Sequence, residues 1–115
     1  MTITRINPGK RMSEAVIHNG TVYVAGQVAD DPKADAAGQT KQILAAIDRI
    51  LAEAGSDKTK ILQAQIFLAK IGDFAAMNSM WDVWVPQGHT PARATIEAAL
   101  ASPEYLVEIK VIAAQ

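Results

Sequence analysis

Apolar and polar positions recur along this chain with two periods, close to two in some segments and close to 3.6 in others. Residues 2–6 alternate Thr and Ile and predict a short strand. Residues 14–18 and 21–28 read as two strands flanking Asn19-Gly20, a dipeptide suited to the left-handed positions of a tight hairpin turn. Residues 30–38 are polar and rich in turn formers, which predicts a loop. From Gln39 to Ala54 the apolar residues Ile43, Ile47, Ile50, Leu51 and Ala54 return at helical spacing, and Gly55 supplies a left-handed stop. Period two resumes over residues 60–69, with Leu62, Ala64, Ile66 and Leu68 expected on one face. Gly72-Asp73 forms a turn and N-cap for a second amphipathic helix marked by Phe74, Met77, Trp81 and Trp84, which Pro86-Gln87-Gly88-His89 ends. Strands at about 92–100 and 105–114 close the chain.

The resulting order, β-β-β-α-β-α-β-β, predicts an α+β fold in which two helices cover one face of a mixed five- to six-stranded sheet. Residues 1–115 are expected to form a single domain. Helix-facing positions are expected to include Val22, Val24, Ala64, Ile66, Ile96, Val107, Ile109 and Val111. The other face would hold Tyr23, Ala25, Gln27, Gln65, Phe67, Arg93, Thr95, Leu106 and Ile112, too apolar for open water and too polar for a dry core. Such a surface suits a symmetric homo-oligomer. If the last two strands form a hairpin, Arg93 faces about Ile112 and lies roughly 13 Å from Glu108 along the strand. The two would then meet only across a subunit boundary. The same register sets Glu97 against Glu108, an unfavourable like-charge pair.

Charge and composition narrow the function. Eleven basic and twelve acidic side chains give a net charge of −1, and no segment clusters Lys and Arg, which argues against nucleic acid. The absence of cysteine excludes a disulfide framework and a thiolate nucleophile. His18 and His89 stand alone, leaving almost no ligand supply for zinc. The N-terminus lacks the apolar core of a signal peptide and no run approaches membrane-spanning length, so a cytoplasmic location is expected.

Against this background Arg93 stands out. It follows Pro91 at the start of an apolar strand and is flanked by alanines too small to shield it. A guanidinium is always charged and presents a rigid fork of donors that matches a carboxylate. Withdrawing it from water is costly unless an anion meets it, and that anion is either a protein carboxylate or a ligand.

The stretches Ser13-Glu14-Ala15-Val16, Ala25-Gly26-Gln27, Gln39-Thr40-Lys41-Gln42, Asp73-Phe74-Ala75-Ala76-Met77-Asn78, Pro91-Ala92-Arg93 and Val107-Glu108-Ile109 together resemble the RidA/YjgF family of enamine and imine deaminases. The match covers nearly the whole chain, and Trp81-Asp82-Val83-Trp84 and Val107-Glu108-Ile109-Lys110 look closest to its YoaB-like subgroup. The resemblance implies a chorismate-mutase-like subunit in a homotrimer with sites between subunits. It implies hydrolysis of reactive 2-enamino or 2-imino acids to 2-keto acids and ammonia, with no cofactor and no metal. Carried over by position, Arg93 matches the carboxylate-binding arginine, Glu108 the glutamate near the water, Asn78 the asparagine of the second helix, and Gly26 a backbone position lining the cleft.

The chain also departs from the family pattern. Met12 stands where a substrate-contacting tyrosine is found, Ala25 replaces a serine, Thr95 a cysteine, and Lys110 a second acidic residue. The changes at Met12 and Ala25 remove two polar groups from the implied pocket and leave the arginine untouched. Arg93 and Glu108 also read as members of structural ion pairs, Asn78 as a backbone-bonding residue, and Phe74, Trp81 and Trp84 as core. A non-catalytic trimer that binds small carboxylates and regulates a partner would use the same arginine. The RNA cleavage attached to some family names is disfavoured by the acidic balance and the lack of a histidine pair.

Overall fold

The computed structural model describes residues 2–115. Strands β1 (Thr4–Ile6), β2 (Ala15–His18) and β3 (Thr21–Val24) form a meander, followed by helix α1 (Ala36–Glu53) and strand β4 (Ile61–Leu68). Helix α2 (Phe74–Trp84) leads to β5 (Ala92–Glu97), and β6 (Val107–Ala114) ends the chain. The six strands form one mixed sheet in the order β1-β2-β3-β6-β4-β5, with both helices packed on one face, as the periodicity predicts.

Local signals account for the element boundaries. Asn19 and Gly20 take φ of 52° and 74° and close the β2–β3 turn, which pairs His18 with Thr21. Helix α1 begins three residues earlier than its apolar spacing suggests, because Asp35 caps it by accepting the Gly38 N–H at 2.8 Å. Its fully buried Ile43, Ile47, Ile50 and Leu51 anchor the core, each worth about 1.5–3 kcal/mol of burial. Gly55 at φ 77° ends the helix. Asp73 occupies the N-cap position of α2 but makes no side-chain cap bond.

Several expectations are corrected. Leu62 does not share the inner face with Ala64, Ile66 and Leu68: a register irregularity between Ile61 and Gln63 turns it outward, 55% exposed. The last two strands do not form a hairpin. The α2 crossover returns the chain to the same end of the sheet, so β5 runs parallel to β4 at the edge. The segment 98–106 then passes β4, and β6 inserts between β3 and β4. Glu97 therefore pairs with Leu68 and Glu108 with Phe67, and the expected like-charge pair does not form.

That topology also reverses the face of β5. Arg93 pairs with Ala64 and Thr95 with Ile66, both fully buried on the helix side, so Arg93 and Thr95 face the helices. Ile96, expected inside, pairs with Phe67 and is 44% exposed on the open face. Leu106, expected on the open face, packs against the core.

Candidate functional site

Helix α2 presents Phe74, Asn78 and Trp81 at i, i+4 and i+7, a spacing that places all three on one face. Arg93, from the adjacent edge strand, rises into this face. Its Nη1 donates to Asn78 Oδ1 at 2.7 Å. Its Cζ stands 5.2 Å from the Trp81 ring centroid and 5.7 Å from that of Phe74, within cation–π range of both. Trp81 is buried and packs on Trp84 with centroids 5.4 Å apart, and the Trp84 indole N–H donates to Asp48 Oδ2 at 3.0 Å. The guanidinium thus lies against a rigid aromatic wall.

Among the described residues the ion pairs are Arg49–Glu14 and Arg49–Glu53, and none involves Arg93. Arg93 is half-buried, with one donor engaged by a neutral amide. Its charge therefore has no protein carboxylate opposite it. Two residues on, Thr95 carries a buried hydroxyl without a hydrogen-bond partner.

Glu108 belongs to a second cluster. On β6 it alternates with the buried Val107 and Ile109, so its side chain emerges on the open sheet face beside Phe67. Its carboxylate lies over Gly26, where a Cβ would overlap Oε2 and meet Cδ at 3.0 Å. Gly26 is needed for this close approach rather than for unusual backbone angles. Nearby, the backbones of Gln27 and Ile109 exchange hydrogen bonds of 2.8 and 3.1 Å.

The two clusters do not meet within one chain. Arg93 and Glu108 are three register positions and two strand spacings apart, on the order of 14 Å, and face opposite sides of the sheet. The separation inferred from a hairpin register holds, for a different reason. Met12 lies in the loop after β1, 57% exposed. Helical spacing predicts Phe74 and Trp81 to be core. Trp81 is core, yet both rings also face the guanidinium. Their i, i+4, i+7 spacing with Asn78 was the available signal, but it needed the knowledge that β5 lies beside α2.

One further network lies near the start of β2. Arg49 Nη2 donates to Glu14 Oε2 at 3.0 Å, and Asn7 Nδ2 donates to Glu14 Oε1 at 2.7 Å. These bonds, Arg49 first, hold the Glu14 carboxyl below the usual range and raise the Arg49 guanidinium.

Residues 2–115 match the family model described as endoribonuclease L-PSP. The chain is 53% identical over 114 residues to the RutC family protein YoaB of Escherichia coli strain K12, covering 99% of each protein. It is 35% identical over 109 residues to a 2-iminobutanoate/2-iminopropanoate deaminase of Rattus norvegicus, covering 90% of this chain and 79% of that protein. A crystal structure of a YjgF family member from Neisseria meningitidis superposes with a TM-score of 0.98 at 50% identity, covering 100% of this chain and 96% of that one.

Proposed function

The chain belongs to the RidA/YjgF family, and from that premise we propose that it is a cofactor-independent deaminase that hydrolyses reactive 2-imino and 2-enamino acids to 2-keto acids and ammonia. The observation that carries the proposal is Arg93: a guanidinium held by Asn78, Trp81 and Phe74 with no carboxylate partner among the described residues. The substrate carboxylate fills that place, bound through the parallel N–H donors of the fork. Relatives from rat and goat that bear the deaminase name are 35% and 38% identical to this chain.

The two clusters come together between subunits of a homotrimer. The exposed Tyr23 and Ile96 on the open sheet face support burial against further copies. Arg93 and Asn78 then come from one subunit, and Glu108 and Gly26 from its neighbour, with Met12 and Thr95 at the margins of the cleft. Glu108 accepts a proton from water as the oxygen adds to the C=N carbon. The proton returns to nitrogen to give a carbinolamine, whose hydroxyl proton then passes to the same nitrogen as the C–N bond breaks and the C=O bond forms, so that ammonia and the keto acid leave. An imine is already electrophilic, so anchoring and water orientation supply the required acceleration.

Freshly generated 2-iminobutanoate and purified protein test this reading. Keto-acid release should accelerate in proportion to protein, and Arg93→Lys, which keeps the charge but loses the fork, should abolish it without changing oligomer size. Wild-type-like turnover in that variant would remove Arg93 from the anchoring role. Binding of the product keto acid without turnover would instead favour the non-catalytic carboxylate binder, a reading motivated by the polar groups lost at Met12 and Ala25.

A further inference from the structure

A second concavity, of about 470 Å³, lies between α1 and α2 on the side away from the sheet. Its apolar lining comes from Leu44 of α1 and Met80, Val83 and Trp84 of α2, and Val83 is 81% exposed. Lys41 and Lys58 also line it, and neither has a carboxylate within ion-pair distance among the described residues. The acid in the lining, Asp48, is engaged by the Trp84 indole N–H, and Lys58 Nζ stands 5.2 Å from the Trp84 ring.

The groove has a direction. Both helices are crossovers between parallel strands, so they run the same way, and Trp84 is level with Asp48. Lys58, over Trp84, therefore marks one end of the groove. Lys41 is seven residues before Asp48 and marks the other, about 10 Å or two helical turns away. A small monocarboxylate reaches one ammonium and leaves the other unmet. A helix carrying acidic residues at i and i+7, with apolar residues at i+3 and i+4, meets both ammonium groups and covers Val83 and Met80.

We propose that this groove docks an acidic amphipathic helix of a partner protein. The charge pattern selects the partner, and Val83 and Trp84 provide the apolar contact. The site is independent of the deaminase reading, because it uses neither Arg93 nor Glu108.

The test uses a fluorescein-labelled 18-residue helical peptide with Glu at i and i+7 and Leu at i+3 and i+4, a version with Lys for both Glu, and a scrambled version. Anisotropy should show the acidic peptide binding at least tenfold more tightly than either control, and more weakly as salt rises. Lys41→Glu, Lys58→Glu and Val83→Asp should each weaken it about tenfold, equivalent to about 1.4 kcal/mol. Lys41 and Val83 are exposed and Lys58 is half-buried, and thermal unfolding of each variant checks that folding is preserved. Arg93→Lys should leave peptide affinity unchanged. Equal affinity for the acidic and basic peptides, or indifference to both lysine reversals, would overturn the proposal. So would displacement of the peptide by benzoate at equal concentration, which would mark a small-anion site. Self-association abolished by Val83→Asp would assign the groove to a second copy and equally overturn it.

Discussion

Replacing Gly26 with alanine adds one methyl group, and the three nearest heavy atoms it would meet all belong to the Glu108 side chain. The methyl would overlap Oε2, with Cδ at 3.0 Å and Cγ at 3.4 Å, so the carboxylate must swing aside by about 1 Å or more to restore ordinary contact. The backbone accepts the change, because the glycines at positive φ are Gly20, Gly55 and Gly88. Lost chain entropy in the unfolded state favours alanine by about 0.4–1 kcal/mol, so net stability should stay within about 1 kcal/mol of wild type. A misplacement near 1 Å at a reacting group costs on the order of 10²-fold, or about 2.7 kcal/mol of activation free energy. The expected result is therefore a hundredfold lower kcat with unchanged urea unfolding. Glu108→Gln should lose a similar amount, and the double variant should lose little more, since both act through one carboxylate. Full activity in Gly26→Ala, with folding intact, would refute the assignment of water handling to Glu108.

Three other perturbations probe separate links. Asn78→Asp converts the neutral partner of Arg93 into an internal anion that competes with substrate; KM for the imino acid should rise at least tenfold while thermal stability holds or increases, and an unchanged KM would count against the open-guanidinium argument. Gln39→Leu removes a fully buried amide that donates to the carbonyls of Pro32, Ala34 and Glu104 and accepts the Leu106 N–H at 2.9 Å; chemical denaturation should show a loss of about 2–4 kcal/mol, and a loss under 1 kcal/mol would contradict that hub. Arg49→Met should cost about 0.5–1 kcal/mol at pH 7, a modest figure because the paired side chains are 51% and 31% exposed. The Glu14 carboxyl is depressed in the folded state, so its contribution is present above the unfolded value near 4.5 and disappears as pH falls through the lower folded value. Unfolding curves at pH 7 and pH 3 should show the gap between variant and wild type closing at pH 3; an undiminished gap would mean that Arg49 acts through packing instead.

Local chemistry set much of this architecture within reach of sequence reading. Asn19-Gly20 determines the first hairpin because its two positive-φ residues close that turn. Ile43, Ile47, Ile50 and Leu51 determine the buried stripe of α1, and the alternation of Val107, Ile109, Val111 and Ala113 determines the inner face of β6. The cost of a lone guanidinium singled out Arg93 before any partner was visible. These are properties of spacing and residue type, and they survive folding unchanged.

What only the tertiary structure decided is which strands lie side by side. Period two fixes the two faces of a strand but says nothing about its neighbour, and a one-residue change of register exchanges those faces. The α2 crossover set β5 parallel to β4, which turned Arg93 and Thr95 toward the helices and brought Asn78, Trp81 and Phe74 around the guanidinium. The insertion of β6 between β3 and β4 sent Glu108 to the opposite face, against Gly26. The chain's own residues thus specify the arginine and the glutamate. Long-range strand pairing, whose stability depends on burial summed over the whole sheet, specifies that one polypeptide holds them apart.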